Sequence, residues 1–172
     1  MTIEEELFAR HRGKSILLDS NLLIVFLTGM IGVDLFARFE RVSKYTFGDY
    51  EFLVRILGFF RPLVTTPHIL TEVSNLANKL SGSYRVDWYE NLARLCASGQ
   101  YESVLLERWA PASQLAGLPE FVEFGITDCA VALIASDALV ITDDYRLSGS
   151  LRSKGVDVLN FGDLLAMQVR IP

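Results

Sequence analysis

Acidic residues in this chain stand where apolar runs end or helices begin. Asp19 closes the run Ser15-Ile16-Leu17-Leu18, Asp128 opens a second apolar segment, and Asp143 and Asp144 close Ala138-Leu139-Val140-Ile141-Thr142. Glu72 falls in the second turn of a helix signalled by Thr66-Pro67, an N-cap residue followed by proline at the first helical position. Ligands of an open parallel sheet bind beyond the carboxyl ends of its strands, so carboxylates distant in sequence can converge there. Crowded carboxylates repel, and one of them is pushed up in pKa unless a cation neutralises the group. Oxygen donors of this kind suit Mg²⁺ or Mn²⁺. Such an ion activates a water and polarises a phosphoryl oxygen, so the pattern points to phosphodiester hydrolysis.

The elements that must position these residues are legible from periodicity and capping. Residues 2–10 read as a short amphipathic helix with Thr2 as N-cap, residues 15–19 as a strand apolar on both faces, and Asn21 onward as a helix. Residues 33–60 alternate aromatic and basic side chains, with 45–50 expected as a loop before a helix beginning near Asp49. A β-prone stretch at 63–65 leads into the helix expected over 67–80, and Ser81-Gly82-Ser83 breaks it. Residues 86–97 and 104–115 are predicted helices, 128–136 a buried helix, 138–142 a strand, 147–154 a helix closed by Gly155, and 156–159 a last strand. This order predicts a single α/β domain over 1–172, a three-layer α/β/α sandwich around a mostly parallel sheet of four to five strands.

With those placements the chain resembles the PIN-domain nucleases. Ile16-Leu17-Leu18-Asp19-Ser20-Asn21 resembles their opening signature, and Thr66-Pro67-His68-Ile69-Leu70-Thr71-Glu72 their glutamate helix. Gly125-Ile126-Thr127-Asp128-Cys129-Ala130 is similar to the third acidic motif, and Val140-Ile141-Thr142-Asp143-Asp144 to the final strand with its hydroxyl and acid. The resemblance runs over about residues 15–161, in the family's order. It implies a Mg²⁺- or Mn²⁺-dependent ribonuclease in which Asp19, Glu72, Asp128 and one of Asp143 and Asp144 serve the metal. Asp144 is favoured by the family's hydroxyl, spacer, acid pattern, and Asn21 and Thr142 are expected to orient the ligands. The 33–60 segment is longer than in compact toxin-type members. An antitoxin-like protein partner is part of what the resemblance implies.

Bulk properties bound these readings. The 172 residues are 51% hydrophobic and 22% charged, enough for a real core. A formal charge of −5 gives no general basic footprint for a nucleic acid, so metal and local basic residues must attract one. Arg146, Arg152 and Lys154, just after the paired aspartates, are candidates for a phosphate backbone. The apolar stretch from Leu22 to Val33 is shorter than the about 20 residues a membrane span needs, and the expected location is the cytoplasm. Cys96 and Cys129 make no metal-spacing motif. A mean hydropathy of +0.30 points to a homodimer or a bound partner.

Each acid also has an ordinary reading as a cap or turn residue, and only their joint placement lifts the functional one. His68, four residues before Glu72, reads as structural, and His11 as part of a solvated basic run away from the strand-end rim. Tyr45, Phe47 and Tyr50 with Arg41 and Lys44 read as core or contact aromatics before they read as base-stacking residues. An aspartyl-nucleophile phosphatase or phosphotransferase also places an aspartate after its first strand, but the haloacid dehalogenase type wants a second one where Asn21 stands. A receiver-type domain fits less well, since Glu4, Glu5 and Glu6 precede the first strand and Lys154 falls in a helical pattern. A non-catalytic PIN-like binding scaffold is the remaining alternative.

Overall fold

A computed structural model describes residues 2–97 and 105–167. Five short strands form one parallel sheet: β1 (Ile16–Leu18), β2 (Leu63–Thr65), β3 (Leu105–Glu107), β4 (Leu139–Thr142) and β5 (Val158–Asn160), in the order β3-β2-β1-β4-β5. All but the edge strand β3 are buried throughout, which is why their sequences are continuously apolar instead of alternating. Helices flank the sheet, giving the expected three-layer α/β/α sandwich. The chain winds outward from β1 through β2 to β3, then returns to the other side of β1 for β4 and β5. The order therefore reverses between β1 and β4, and a crevice opens at their carboxyl ends. Register brings Leu18 opposite Ile141, and Asp19 continues the pairing by donating its N–H to the Ile141 carbonyl at 3.2 Å.

The helices are α1 (Ile3–His11), α2 (Ser20–Gly29), α3 (Val33–Arg38), α4 (Phe47–Leu57), α5 (Pro67–Ala77), α6 (Gly82–Ala97), α7 (Ala112–Leu115), α8 (Phe121–Ile134), α9 (Tyr145–Ser153) and α10 (Phe161–Ala166). Thr2 and Glu5 form a capping box at α1, and Thr66 caps α5 through the Ile69 N–H, as their sequences predict. α2 lies at the centre of one helical layer, packed on α4, α5 and α6. Leu17, Leu22, Val25, Leu27 and Trp88 are wholly buried there. Among the described residues no helix is long and apolar enough to cross a membrane.

Two expectations are corrected. Residues 104–115 are not one helix: Val104 lies outside the described residues, Leu105–Glu107 pairs with β2, and only the single turn α7 follows. Pro111 is the physical reason, because it has no N–H to donate and clashes with a preceding helical turn. The 45–50 stretch is no loop throughout, since Thr46 and Asp49 form a capping box that starts α4 at Phe47. The helix expected near Asp128 is present: Gly125 (φ 77°) separates a first segment of α8 from the one that carries Asp128, which opens at Ile126.

Gly29 ends α2 where the Tyr50 ring of α4 lies on its backbone, and a Cβ there would collide with that ring. Gly29→Ala should therefore lower unfolding stability by about 1–3 kcal/mol through overpacking. Urea titration of both proteins checks this, and equal midpoints with equal slopes would contradict the contact.

Candidate active site

Asp19 is the N-cap of α2, and its Oδ1 accepts the Leu22 N–H at 2.8 Å. Its Oδ2 accepts a hydrogen bond from the hydroxyl of Thr142, the last residue of the neighbouring strand β4. The side chain is sealed, with 4% of the residue exposed. Burial, above all, pushes its pKa up to about 7. The Thr142 hydroxyl works against that, the Asp143 charge adds to it, and the N–H groups of Leu22 and Asp143 lower it again.

The Thr142 hydroxyl also accepts the Asp144 N–H at 3.0 Å, so one side chain ties Asp19 to the turn that carries both later aspartates. Asp144 caps α9, its Oδ1 accepting from the N–H groups of Arg146 at 2.7 Å and Leu147 at 3.1 Å. Glu72, on the exposed side of α5, accepts the Ser20 hydroxyl at 2.8 Å. Asp128 is half-buried just beyond the Gly125 break. Its pKa rises to about 6 through burial first, then through the charges of Glu72 and Asp144.

These four carboxylates and Asp143 lie along the carboxyl-end rim of the sheet in two electrostatic groups. Asp19 feels Asp143, and Asp128 feels Glu72 and Asp144. Asn21 turns to Asp143, donating at 3.4 Å, while Thr142 holds Asp19. Lys44 and the Tyr45 hydroxyl both bind Asp143 Oδ2, and burial followed by that hydrogen bond raises the Tyr45 pKa. The aromatic and basic cluster around residue 45 was visible in the sequence, but nothing there named its target 98 residues away.

The candidate phosphate contacts are not gathered with the carboxylates. Arg146 pairs with Glu123 at 2.9 Å and stacks over Phe124. Lys154 pairs with Glu120, beyond the far end of α9. Arg152 lines a surface cavity with Arg10 and Asp157, residues on the opposite rim of the sheet. His11 is no free member of a solvated run: its Nε2 lies 2.7 Å from Asp157 Oδ2 on that same far rim. His68 lies one turn before Glu72, its Nδ1 buried and without a hydrogen-bond partner among the described residues.

Among the described residues no three His, Cys, Asp or Glu side chains are grouped for a metal ion as they stand. Four of the five carboxylates are held by a protein partner: Asp19 by Thr142, Glu72 by Ser20, Asp143 by Lys44, and Asp144 by its helix. The donor chemistry nevertheless fits a hard divalent cation. Every candidate ligand is a carboxylate, and Asp19 and Asp128 carry raised pKa values that a nearby cation would relieve. No protein-family model and no curated protein matches this chain. Function must therefore be argued from the rim itself.

A carboxylate whose pKa is higher folded than unfolded adds stability that is fully present below its unfolded value and lost as pH rises through the folded one. For Asp19 the window runs from about 4, its ordinary value, to about 7 in the fold. In chelator, Asp19→Asn should gain stability relative to the parent across that window. The amide can still accept the Leu22 N–H as an N-cap. Urea midpoints at pH 4, 6 and 8 test it, and a difference that stays constant with pH would refute the burial argument.

Proposed function

We propose that this chain is a divalent-metal-dependent nuclease of PIN-like type, hydrolysing phosphodiester bonds in RNA. What supports the reading is that Thr142 at the switch point of a parallel sheet links Asp19 to the Asp144 turn, that Ser20 beside Asp19 holds Glu72, and that Asp128 feels the charges of Glu72 and Asp144. In this reading Asp19, Asp128 and Asp144 hold Mg²⁺ or Mn²⁺, and Asp143 stands next to them. When bound, the ion supplies Lewis-acid polarisation of a phosphoryl oxygen and a water acidified for attack.

The chain's own residues then have separable tasks. Thr142 fixes the Asp19 carboxylate, so its orientation does not depend on the ion. Ser20 holds Glu72 by Oε2, leaving Oε1 to accept a hydrogen bond from a water at the exposed edge of the site. Lys44, Tyr45 and Asn21 fix Asp143, and Lys44 offsets its charge. RNA, in preference to DNA, rests on the sequence resemblance alone. A cytoplasmic setting is in keeping with two unpaired cysteines, Cys96 exposed and Cys129 buried. A second copy or an antitoxin-like protein is the proposed partner, supported by exposed Val122, Val33 and Val86.

An aspartyl-nucleophile phosphotransferase is less well supported. The haloacid dehalogenase type needs a second aspartate two residues after the first, and Asn21 stands there. Purified protein should cleave single-stranded RNA in Mn²⁺ and stop in chelator. Asp19→Asn and Asp128→Asn should each cost at least about 100-fold while circular dichroism stays unchanged, as loss of a ligand exceeds the effect of losing a supporting bond. Full activity in either variant would overturn the assignment, and calorimetry without Mn²⁺ binding would favour the non-catalytic scaffold.

A further inference from the structure

Trp109 follows the edge strand β3 and leaves 73% of its surface exposed, whereas the other tryptophan, Trp88, is wholly buried. A large aromatic side chain in water forgoes the burial that normally stabilises it, so its position calls for a partner. Trp109 forms one wall of an open cavity of about 360 Å³ together with Ile126, itself 42% exposed. The other wall is α5, with His68, Thr71, Glu72 and Asn75 facing the space. Glu72 thus borders both this cavity and the carboxylate site.

The lining selects what can enter. Among the described residues no lysine or arginine borders the cavity and Glu72 adds a negative charge, so a phosphate or carboxylate inside the cavity itself is disfavoured. Apolar surface at Trp109 and Ile126 suits a flat, uncharged group. Thr71 and Asn75 are exposed, and their hydroxyl and amide make no hydrogen bond among the described residues. They leave donors and acceptors for a polar edge. A nucleobase combines a stacking face with such an edge, and stacking on aromatic side chains is a general means of holding unpaired bases. An apolar side chain of a protein would cover Trp109 but leave the Thr71 and Asn75 groups unused.

The geometry points to a base-stacking subsite: Trp109, Ile126, Thr71 and Asn75 hold one unpaired base of a single-stranded nucleic acid whose neighbouring phosphodiester lies at the Glu72 side. The inference rests on the nuclease reading for the identity of the strand. It makes Trp109 a residue that positions substrate and takes no part in the chemistry. It also explains how a chain of net charge −5 holds a polyanion, since stacking contributes where basic residues do not.

The test separates the base from the backbone. Asp19→Asn protein in Mg²⁺ is titrated with a single-stranded oligonucleotide and with an abasic oligomer of equal length, reading tryptophan fluorescence. Trp88 is buried and gives a constant background. The oligonucleotide should quench and the abasic oligomer should not. Trp109→Ala should abolish the quench and weaken binding about tenfold, and Trp109→Phe, followed by anisotropy of a labelled oligonucleotide, should restore most of the affinity. In the cleaving protein Trp109→Ala should raise KM about tenfold and leave kcat within about twofold, since uniform binding is what it removes.

Equal binding of the abasic oligomer, or undiminished affinity in Trp109→Ala at an unchanged melting temperature, would overturn the subsite. So would a Trp109-dependent dimer in sedimentation with no oligonucleotide quench, which would give the surface to a second copy. Metal-dependent cleavage with a silent Trp109 would sink the subsite and leave the nuclease reading intact. Trp109-dependent base binding without cleavage would do the reverse.

Discussion

A carboxylate closed off from water at the end of the central strand is the constraint on which the rest of this site turns. Asp19 is buried because β1 lies between two strands and is covered by helices on both sides, so the residue that ends β1 ends inside the protein. Burial disfavours its charge, and the fold answers with donors: the Thr142 hydroxyl and the N–H groups of Leu22 and Asp143. These donors come from both sides of the switch point. The Asp19 carboxylate therefore depends on the register of β1 against β4 as much as on its own helix. A one-residue slip would turn Thr142 to the other face of the sheet.

Negative charge is distributed unevenly around that constraint. Lys44 and Tyr45, in the turn before α4, both bind Asp143. Arg146, the cation nearest in sequence to the paired aspartates, pairs with Glu123 in α8, and Lys154 pairs with Glu120 beside it. Glu72, Asp128 and Asp144 are left with hydrogen-bond donors or with each other, and Asp128 registers the imbalance in its raised pKa. A rim that withholds its own cations from three carboxylates has the charge pattern expected of a site completed from solution.

What the sequence made legible follows from how local each signal is. The strands at 16–18 and 139–142 are uninterrupted apolar runs, and Thr2, Thr66 and Asp144 cap helices within three residues of themselves, so composition and spacing reveal them. Asp19 and Asp144 could be assigned to one rim because strand ends in a parallel sheet share an edge. β3 escaped because a three-residue edge strand buries only Leu105 and has too little periodicity to outweigh a helical reading, although Pro111 marked where no helix could run. Contacts that span the chain were out of reach: Tyr45 with Asp143, His11 with Asp157, and Gly29 beneath Tyr50 each require the tertiary structure. Trp109 was passed over because exposure, the property that singles it out, is not written in its neighbours.

The adjacent aspartates resolve into different residues once their partners are compared. Asp143 has both oxygens committed, Oδ1 to Asn21 and Oδ2 to Lys44 and Tyr45, and a cation drawn to it must displace an ammonium already there. Asp144 commits only Oδ1, to two backbone N–H groups at the start of α9, and its Oδ2 makes no hydrogen bond among the described residues. The Asp144 charge reaches Asp128 and helps to raise its pKa. A carboxylate that is oriented and half free is better suited to a cation than one clamped by lysine. Residue partners thus favour the same aspartate as the hydroxyl, spacer, acid pattern, and they leave Asp143 as the anchor that ties the Lys44 segment to the rim.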